Sequence, residues 1–312
     1  MNFGDRFAAA VAERGNPCLV GLDPHPSQLP EEFAAARAPV DNGGNGAGGP
    51  TTEERARDVE RFLLGIVEVI AGRVPAVKPQ SAFFELYGAP GAAAWDRVVR
   101  ASHAAGLLVI GDVKRGDIDS TARAYAQAFL EGVSASDRDG CCDAITVNPY
   151  LGTDSITPFL ETCARSERGI FVLVRTSNPG AKTFQDHGDP PLYLVVADKV
   201  NEWGSALVGN SNLSSVGAVV GATHPRELAL LRARMPHTPF LIPGYGAQGA
   251  SGSDIAGGFL PGGRGAIVNS SRGILFAHRQ PRHAGRHWKD AARAALDEMI
   301  AELNAVIAAH SA

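Results

Sequence analysis

Residues 107–117 read LLVIGDVKRGD. The first half is a continuous apolar run, the pattern of a strand buried on both faces of a parallel sheet. The second half places Asp112 and Lys114 just beyond it. Two positions apart on an extended strand, these side chains point to one side. The run therefore delivers an acid and a base into a low-dielectric mouth, where a charge is costly unless paired. Lys78 and Asp117 can supply the balance, giving two positive and two negative groups. The bland alternative is a structural ion pair, with Asp117 as a helix N-terminal charge before Ile118.

Seven further runs resemble this one: CLVGLD (Cys18–Asp23), PAVK (Pro75–Lys78), AITVN (Ala144–Asn148), IFVLVRT (Ile170–Thr176), SVGAVVGA (Ser215–Ala222), PFLIPG (Pro239–Gly244) and GAIVNSS (Gly265–Ser271). Helix-patterned segments lie between them, at residues 53–70, 92–105, 118–130, 155–163, 191–207 and 225–235. Residues 3–13 precede the first strand and 288–309 close the chain. Eight strands alternating with helices predict a (β/α)8 TIM barrel, an α/β fold spanning residues 1–312 as one domain. A doubly wound sheet is the competing architecture, but GLDPHPSQLP after the first run lacks a Gly-rich phosphate turn. Residues 34–52, AAARAPVDNGGNGAGGPTT, read as a mobile Gly-rich surface insertion.

The composition agrees. In 312 residues, 45% are hydrophobic, 36 are Gly and 20 are Pro, which excludes a coiled coil and a disordered chain. A formal net charge of -4 gives no footprint for nucleic acid. No apolar run is long enough for a membrane span and the N-terminus has no signal-peptide pattern. Cys18, Cys141, Cys142 and Cys163 show no metal-clamp spacing and read as buried free thiols in a reduced, cytoplasmic protein.

Chemistry in a barrel sits at the carboxyl ends of the strands. In order, those ends carry Asp23, Lys78, Asp112 with Lys114, Asn148, and Arg175 followed by Thr176, Ser177 and Asn178. The seventh leads into Gly244, Gly246, Gln248 and Gly249, and the eighth into Asn269 and Arg272. The sixth alone lacks a strong polar group. The glycines after the seventh strand let backbone N–H groups turn toward an anion, and Arg272 can clamp phosphate oxygens. Arg175 and Arg264 compete for that role, although solvated or structural positions suit them better. Phe83, Phe84 and Tyr87 read as packing residues, and His25 as a surface or supporting histidine.

These residues are recognisable together. GDVKRGDIDST (Gly111–Thr121) resembles the signature of the orotidine 5'-phosphate decarboxylase family. VGLDPHP, VKPQSAFFELYG, TVNPYLG, RTSNPGA, IPGYGAQG and IVNSSRGI resemble further motifs of its longer bacterial branch. The resemblance implies cofactor-free, metal-free decarboxylation of orotidine 5'-monophosphate to uridine 5'-monophosphate, in de novo pyrimidine synthesis. It makes Lys114 the proton donor and sets Asp112 against the departing carboxylate. Lys78 and Asp117 complete the charge network. Asp23, Lys78 and Thr121 hold the ribose, Ser177 reads the pyrimidine edge, Gln248 bridges phosphate and base, and Arg272 binds the phosphate. Ile118 and Asn148 join this substrate-binding set. The resemblance also implies a homodimer in which Asp117, Ile118 and Thr121 reach into the neighbouring site. One departure is the Asn269-Ser-Ser-Arg272-Gly273 turn, where shorter members carry Gly-Arg-Ser.

A Lys114 flanked by carboxylates is expected to keep its proton, which suits a donor and not a Schiff-base nucleophile. Loop closure over a bound phosphate is expected from 177–188 and 244–258. Two competing readings remain. Metal-dependent sugar-phosphate decarboxylases or aldolases share DxKxxD but carry an acidic ligand where this chain has Lys78. A catalytically silent nucleotide-binding protein would have lost one of the four charges, and none is missing.

Overall fold

The computed structural model describes residues 1–39, 49–222, 225–245 and 252–311. Eight strands, β1 (Cys18–Leu22), β2 (Ala76–Pro79), β3 (Leu108–Arg115), β4 (Ala144–Val147), β5 (Gly169–Arg175), β6 (Val216–Val220), β7 (Phe240–Ile242) and β8 (Ala266–Ser270), form a closed barrel in sequence order. All neighbours run parallel, and β8 returns to β1 through Cys18–Val268 and Leu19–Asn269. This is the expected (β/α)8 architecture.

The principal helices are α1 (Phe3–Arg14), α2 (Thr52–Ile70), α3 (Gly88–Ala104), α4 (Asp119–Ala126), α5 (Thr153–Ser166), α6 (Leu192–Gly204), α7 (Pro225–Arg234) and α8 (Trp288–Ser311). The helix predicted over 118–130 is α-helical only to Ala126 and widens into a π-helical turn over Gln127–Glu131. Residues 34–52 also differ from expectation at their ends. Ala34–Arg37 forms a helical turn with Ala36 buried, held by Asp58, whose Oδ2 accepts from the N–H groups of Ala35 and Ala36. Thr51 and Glu54 form a capping box that starts α2. Residues 40–48 lie outside the described residues.

Alternate strand residues feed two cores. Leu19, Ala76, Leu108, Ile110, Ala144, Phe171, Val219, Leu241 and Ile267 fill the barrel, and Phe3 and Phe7 of α1 close its N-terminal end. Phe3 meets Phe171 edge-on at 5.9 Å. The other strand face packs Val20, Val77, Val109, Ile145, Val172 and Val268 against the helices. Each such buried side chain contributes roughly 1.5–3 kcal/mol. Both strand faces are covered, which is why the runs read as continuous apolar segments. Apolar filling below leaves the C-terminal end as the place where inward polar groups collect.

The opposite pole is closed by an ion cluster. Asp143, 1% exposed, accepts from Arg6 (2.6 Å), Arg168 (2.7 Å) and the Val109 N–H (2.8 Å). His103 joins it, with Nε2 3.0 Å from Asp143 Oδ2 and Nδ1 2.9 Å from the Asp139 carbonyl. Both neighbours are acceptors, so both ring nitrogens carry protons. Burial opposes the charge, but hydrogen bonding and attraction from Asp143 outweigh it and hold the imidazole above its ordinary 6.5. The stabilisation is thus fully present below the unfolded value and is lost as pH rises through the folded one. The stability difference between the parent protein and His103→Gln should be larger at about pH 6 than at about pH 9, measured by urea unfolding. Equal differences at the two values would contradict this reading.

Candidate functional site

A cavity of about 310 Å³ opens at the C-terminal ends of the strands. Asp23 enters it from beyond β1, Lys78 from β2, Asp112 and Lys114 from β3 and Thr146 from β4. Ser177 follows β5, and Asn269, Ser271 and Arg272 come from the end of β8. Leu173, Val219 and Leu241 supply its apolar lining, consistent with the sixth strand ending without a polar group. A larger groove, about 790 Å³, lies against α8 and shares Tyr245 and Arg272. Its remaining charged residues are Arg282, Glu298 and Glu302, so it lacks the lysine–aspartate pairing that gives the smaller cavity its chemistry.

Asp112 organises that pairing. Its Oδ2 accepts from Lys78 Nζ at 2.7 Å. Its Oδ1 accepts from Lys114 Nζ and, at 3.0 Å, from Thr146 Oγ1. Burial pushes the carboxyl upward, but the ammonium groups of Lys78 and Lys114 prevail and hold it well below the usual carboxylate range. Burial likewise works against the charge on Lys78, yet Asp23 and Asp112 outweigh it and raise the group above an ordinary lysine. Lys78 Nζ is 3.9 Å from Asp23 Oδ1. Two positive and two negative groups meet within the chain, Lys78 and Lys114 with Asp112 and Asp23. Within the chain the second carboxylate belongs to Asp23, not Asp117. Asp117 Oδ1 instead accepts from the Ile118 N–H at 2.8 Å, the helix-start position of the bland alternative.

Asp112 and Lys114 also meet by a route other than the expected one. β3 is not regular there. Its pairing with β4 passes from Gly111–Ile145 to Arg115–Val147, four steps on one strand against two on the other. Lys114 takes φ 43° within this bulge, a left-handed conformation that costs roughly 1–2 kcal/mol for a residue with a Cβ. Simple alternation does not bring the two charges together; the bulge does.

Residues 20–287 match the family model described as Orotidine 5'-phosphate decarboxylase / HUMPS family. The chain belongs to that family. An orotidine 5'-phosphate decarboxylase of Rhodopirellula baltica is 41% identical over 313 residues, covering 97% of this chain and 99% of that protein. One from Deinococcus radiodurans is 42% identical, covering 78% and 86% respectively. The solved structure of Leishmania donovani OMP decarboxylase superposes with a TM-score of 0.73 at 32% identity, covering 98% of this chain and 99% of that one.

Against the family-derived expectations, Asp23, Lys78, Asp112, Lys114, Ser177 and Arg272 share the cavity. Gln248 lies outside the described residues. Asp117, Ile118 and Thr121 do not line the cavity of their own chain. Nor does Asn148, whose exposed side chain accepts from the Tyr150 N–H at 3.0 Å and closes a turn. Arg175 is structural, being 1% exposed and paired with Asp186 and Glu227, each at 2.6 Å. The Asp186 pair also ties the 177–188 loop to β5, as does Gln185, whose Oε1 accepts from the Thr176 N–H at 3.0 Å. His25 packs its ring against Phe83 at 4.5 Å and does not line the cavity. All four cysteines are free and buried.

Thr146, Asn269 and Ser271 are site residues to which the sequence reading assigned no role. Each is a polar residue at or beside an inward position of an otherwise apolar strand, and that interruption was the available signal. Asn269 Nδ2 donates to Ser271 Oγ at 3.3 Å, and its Oδ1 is buried without a partner among the described residues. Gly21 on the neighbouring strand makes the room. A Cβ there would lie 1.9 Å from Ser271 Oγ and 2.8 Å from Asn269 Oδ1.

Asp112→Asn removes the carboxylate shared by two ammonium groups, and should cost about 3 kcal/mol at neutral pH. Asp112 is depressed in the fold, so its stabilisation is present above the unfolded value and lost as pH falls through the folded one. The gap between parent and variant should therefore narrow below about pH 4 in acid-unfolding curves. A gap that is absent at neutral pH, or that widens in acid, would sink this account of the network.

Proposed function

We propose that this chain decarboxylates orotidine 5'-monophosphate to uridine 5'-monophosphate, with Lys114 as the proton donor. The supporting observation is the Asp112 carboxylate held between two ammonium groups of unequal accessibility. Lys78 is buried, whereas about half of the Lys114 side chain is exposed. A donor must reach the substrate while Lys78 keeps the network neutral, so the accessible ammonium takes the role.

In this reading the bond from the ring carbon to the carboxylate breaks, and its electron pair stays on the carbon. A proton passes from Lys114 Nζ to that carbon, and solvent later restores the ammonium. A preorganised ammonium at the developing carbanion needs no reorganisation during the reaction. Asp112, beside the leaving carboxylate, favours its departure as neutral carbon dioxide. Asp23 and Asn269 offer buried acceptors suited to ribose hydroxyls, Ser177 faces the pyrimidine, and Arg272 holds the phosphate. The metal-dependent alternative is opposed by Lys78, whose ammonium lies against both carboxylates that would ligate a cation.

The active unit in this reading is a homodimer. Leu86, Ile118, Tyr150, Leu151 and Phe184 are exposed and follow β2, β3, β4 and β5, so they rim one pole of the barrel. A second copy seated on that pole would cover them and bring Asp117, Ile118 and Thr121 to the neighbouring cavity. No helix among the described residues is long and apolar enough to cross a membrane. The four free thiols support a reduced, cytoplasmic setting.

Loss of substrate absorbance should continue in EDTA, and strict dependence on added Mg2+ would overturn the metal-free mechanism. Lys114→Ala should still bind uridine 5'-monophosphate while turnover falls by about a thousandfold or more. Retention within about tenfold of parental turnover excludes Lys114 as donor. If Asp117 acts across a twofold interface, mixed Lys114→Ala and Asp117→Asn chains should recover about a quarter of parental activity. Random pairing makes half of the dimers mixed, each with one intact site. No recovery on mixing would place Asp117 outside the neighbour's site.

A further inference from the structure

Lys114 and Val113 donate their consecutive backbone N–H groups to one atom, Thr146 Oγ1, at 2.9 and 3.0 Å. Successive N–H groups of an extended strand diverge to opposite sides. Here the irregular backbone of the β3 bulge, which also carries the left-handed Lys114, turns both toward one point, as in the backbone nests that hold anions. The atom they hold is a hydroxyl from the next strand. That hydroxyl has one proton and two acceptor lone pairs. Its third neighbour, Asp112 Oδ1 at 3.0 Å, is a carboxylate that can only accept. The hydrogen-bond directions are therefore settled, and every capacity of the hydroxyl is used. Thr146 is 1% exposed, so no solvent competes.

We infer that Thr146 is a positioning residue for the reaction: its hydroxyl pins the bulge that carries Lys114 and the oxygen of Asp112 that Lys114 faces. The inference rests on Lys114 being the donor. Valine fills the same volume without the hydroxyl, whereas serine retains it. Misplacement of a reacting group by about 1 Å can cost about a hundredfold in rate. Thr146→Val should lower kcat at least about thirtyfold with KM changed by less than about threefold, and Thr146→Ser should stay within about threefold of the parent. Amide hydrogen exchange supplies a readout independent of turnover. In Thr146→Val the amides of Val113 and Lys114 should exchange at least about tenfold faster, while those of Leu108, Val109 and Ile110 keep their protection. Unchanged exchange with unchanged kcat overturns the inference and leaves Lys114 in its role. Faster exchange with unchanged kcat overturns it by removing Lys114 from the rate-determining step. Loss of protection throughout the barrel, with no recovery in Thr146→Ser, assigns Thr146 to stability alone. Thr146→Ala serves the same comparison should the valine variant not fold.

Discussion

One carboxylate, that of Asp112, is the constraint to which the C-terminal end of the barrel is fitted. It lies over apolar side chains and would be strongly disfavoured there as an isolated anion. Lys78 and Lys114 make its burial possible, and Asp23 does the same for Lys78. Removing any member leaves an uncompensated charge, so the group is sustained as a unit. The four side chains come from β1 to β3 and the loop after β1, and adjacent pairing of those strands sets their separation. The contacts of Lys78 with Asp23 and Asp112 thus follow from barrel registration, whereas that of Lys114 with Asp112 depends on the β3 bulge.

The fold was legible because both faces of every strand are covered. Continuous apolar runs such as LLVIG and IFVLV arise from that burial, and eight of them separated by helical periodicity admit few architectures. The charged members of the site were legible for the same reason, since an aspartate or lysine ending an apolar run demands a partner. Less visible was how the partners are distributed. Periodicity places Asp112 and Lys114 on one side of a regular strand, but β3 reaches that result through a bulge, which depends on a hydroxyl of β4. Asp23 and Asp117 are equivalent as counter-charges in the sequence, and tertiary distance separates them. Asn148 ends its strand as Asp23 does, yet its side chain closes a local turn, a competition that asparagine enters readily. Arg175, better suited by its sequence to a structural than to a ligand-facing position, is buried between two carboxylates and beside Tyr193.

Thr146 and Asn269 show why neutral polar residues are harder to recognise than charged ones. A single hydroxyl or amide in a strand such as AITV disturbs the apolar pattern little, and a threonine suits a strand by its branched Cβ alone. Its significance lies in where its hydrogen bonds go, which is a property of the neighbouring strand. The same holds for Gly21. In sequence it is one glycine among many, and only the approach of Ser271 and Asn269 shows that a methyl group cannot be accommodated.

The two poles of the barrel handle buried charge differently. At the N-terminal pole, Asp143 is fully enclosed by two arginines, a histidine and a backbone amide, an arrangement whose partners are all supplied by the chain. At the C-terminal pole the network is deliberately less complete. Lys114 is half exposed, acceptor oxygens of Asp23 and Asn269 have no hydrogen-bond partner among the described residues, and apolar side chains rim the opening. Acceptors without a hydrogen bond beside an accessible ammonium are poor features for stability, since each loses water that no hydrogen bond replaces. They are suitable features for a site whose remaining partners arrive with a ligand. Polar hydroxyls of a bound nucleotide can satisfy the acceptors, and a second copy of the chain can cover the rim. The strained backbone of Lys114 belongs to the same balance, since it holds at the cavity an ammonium that is paired with Asp112 and still half exposed.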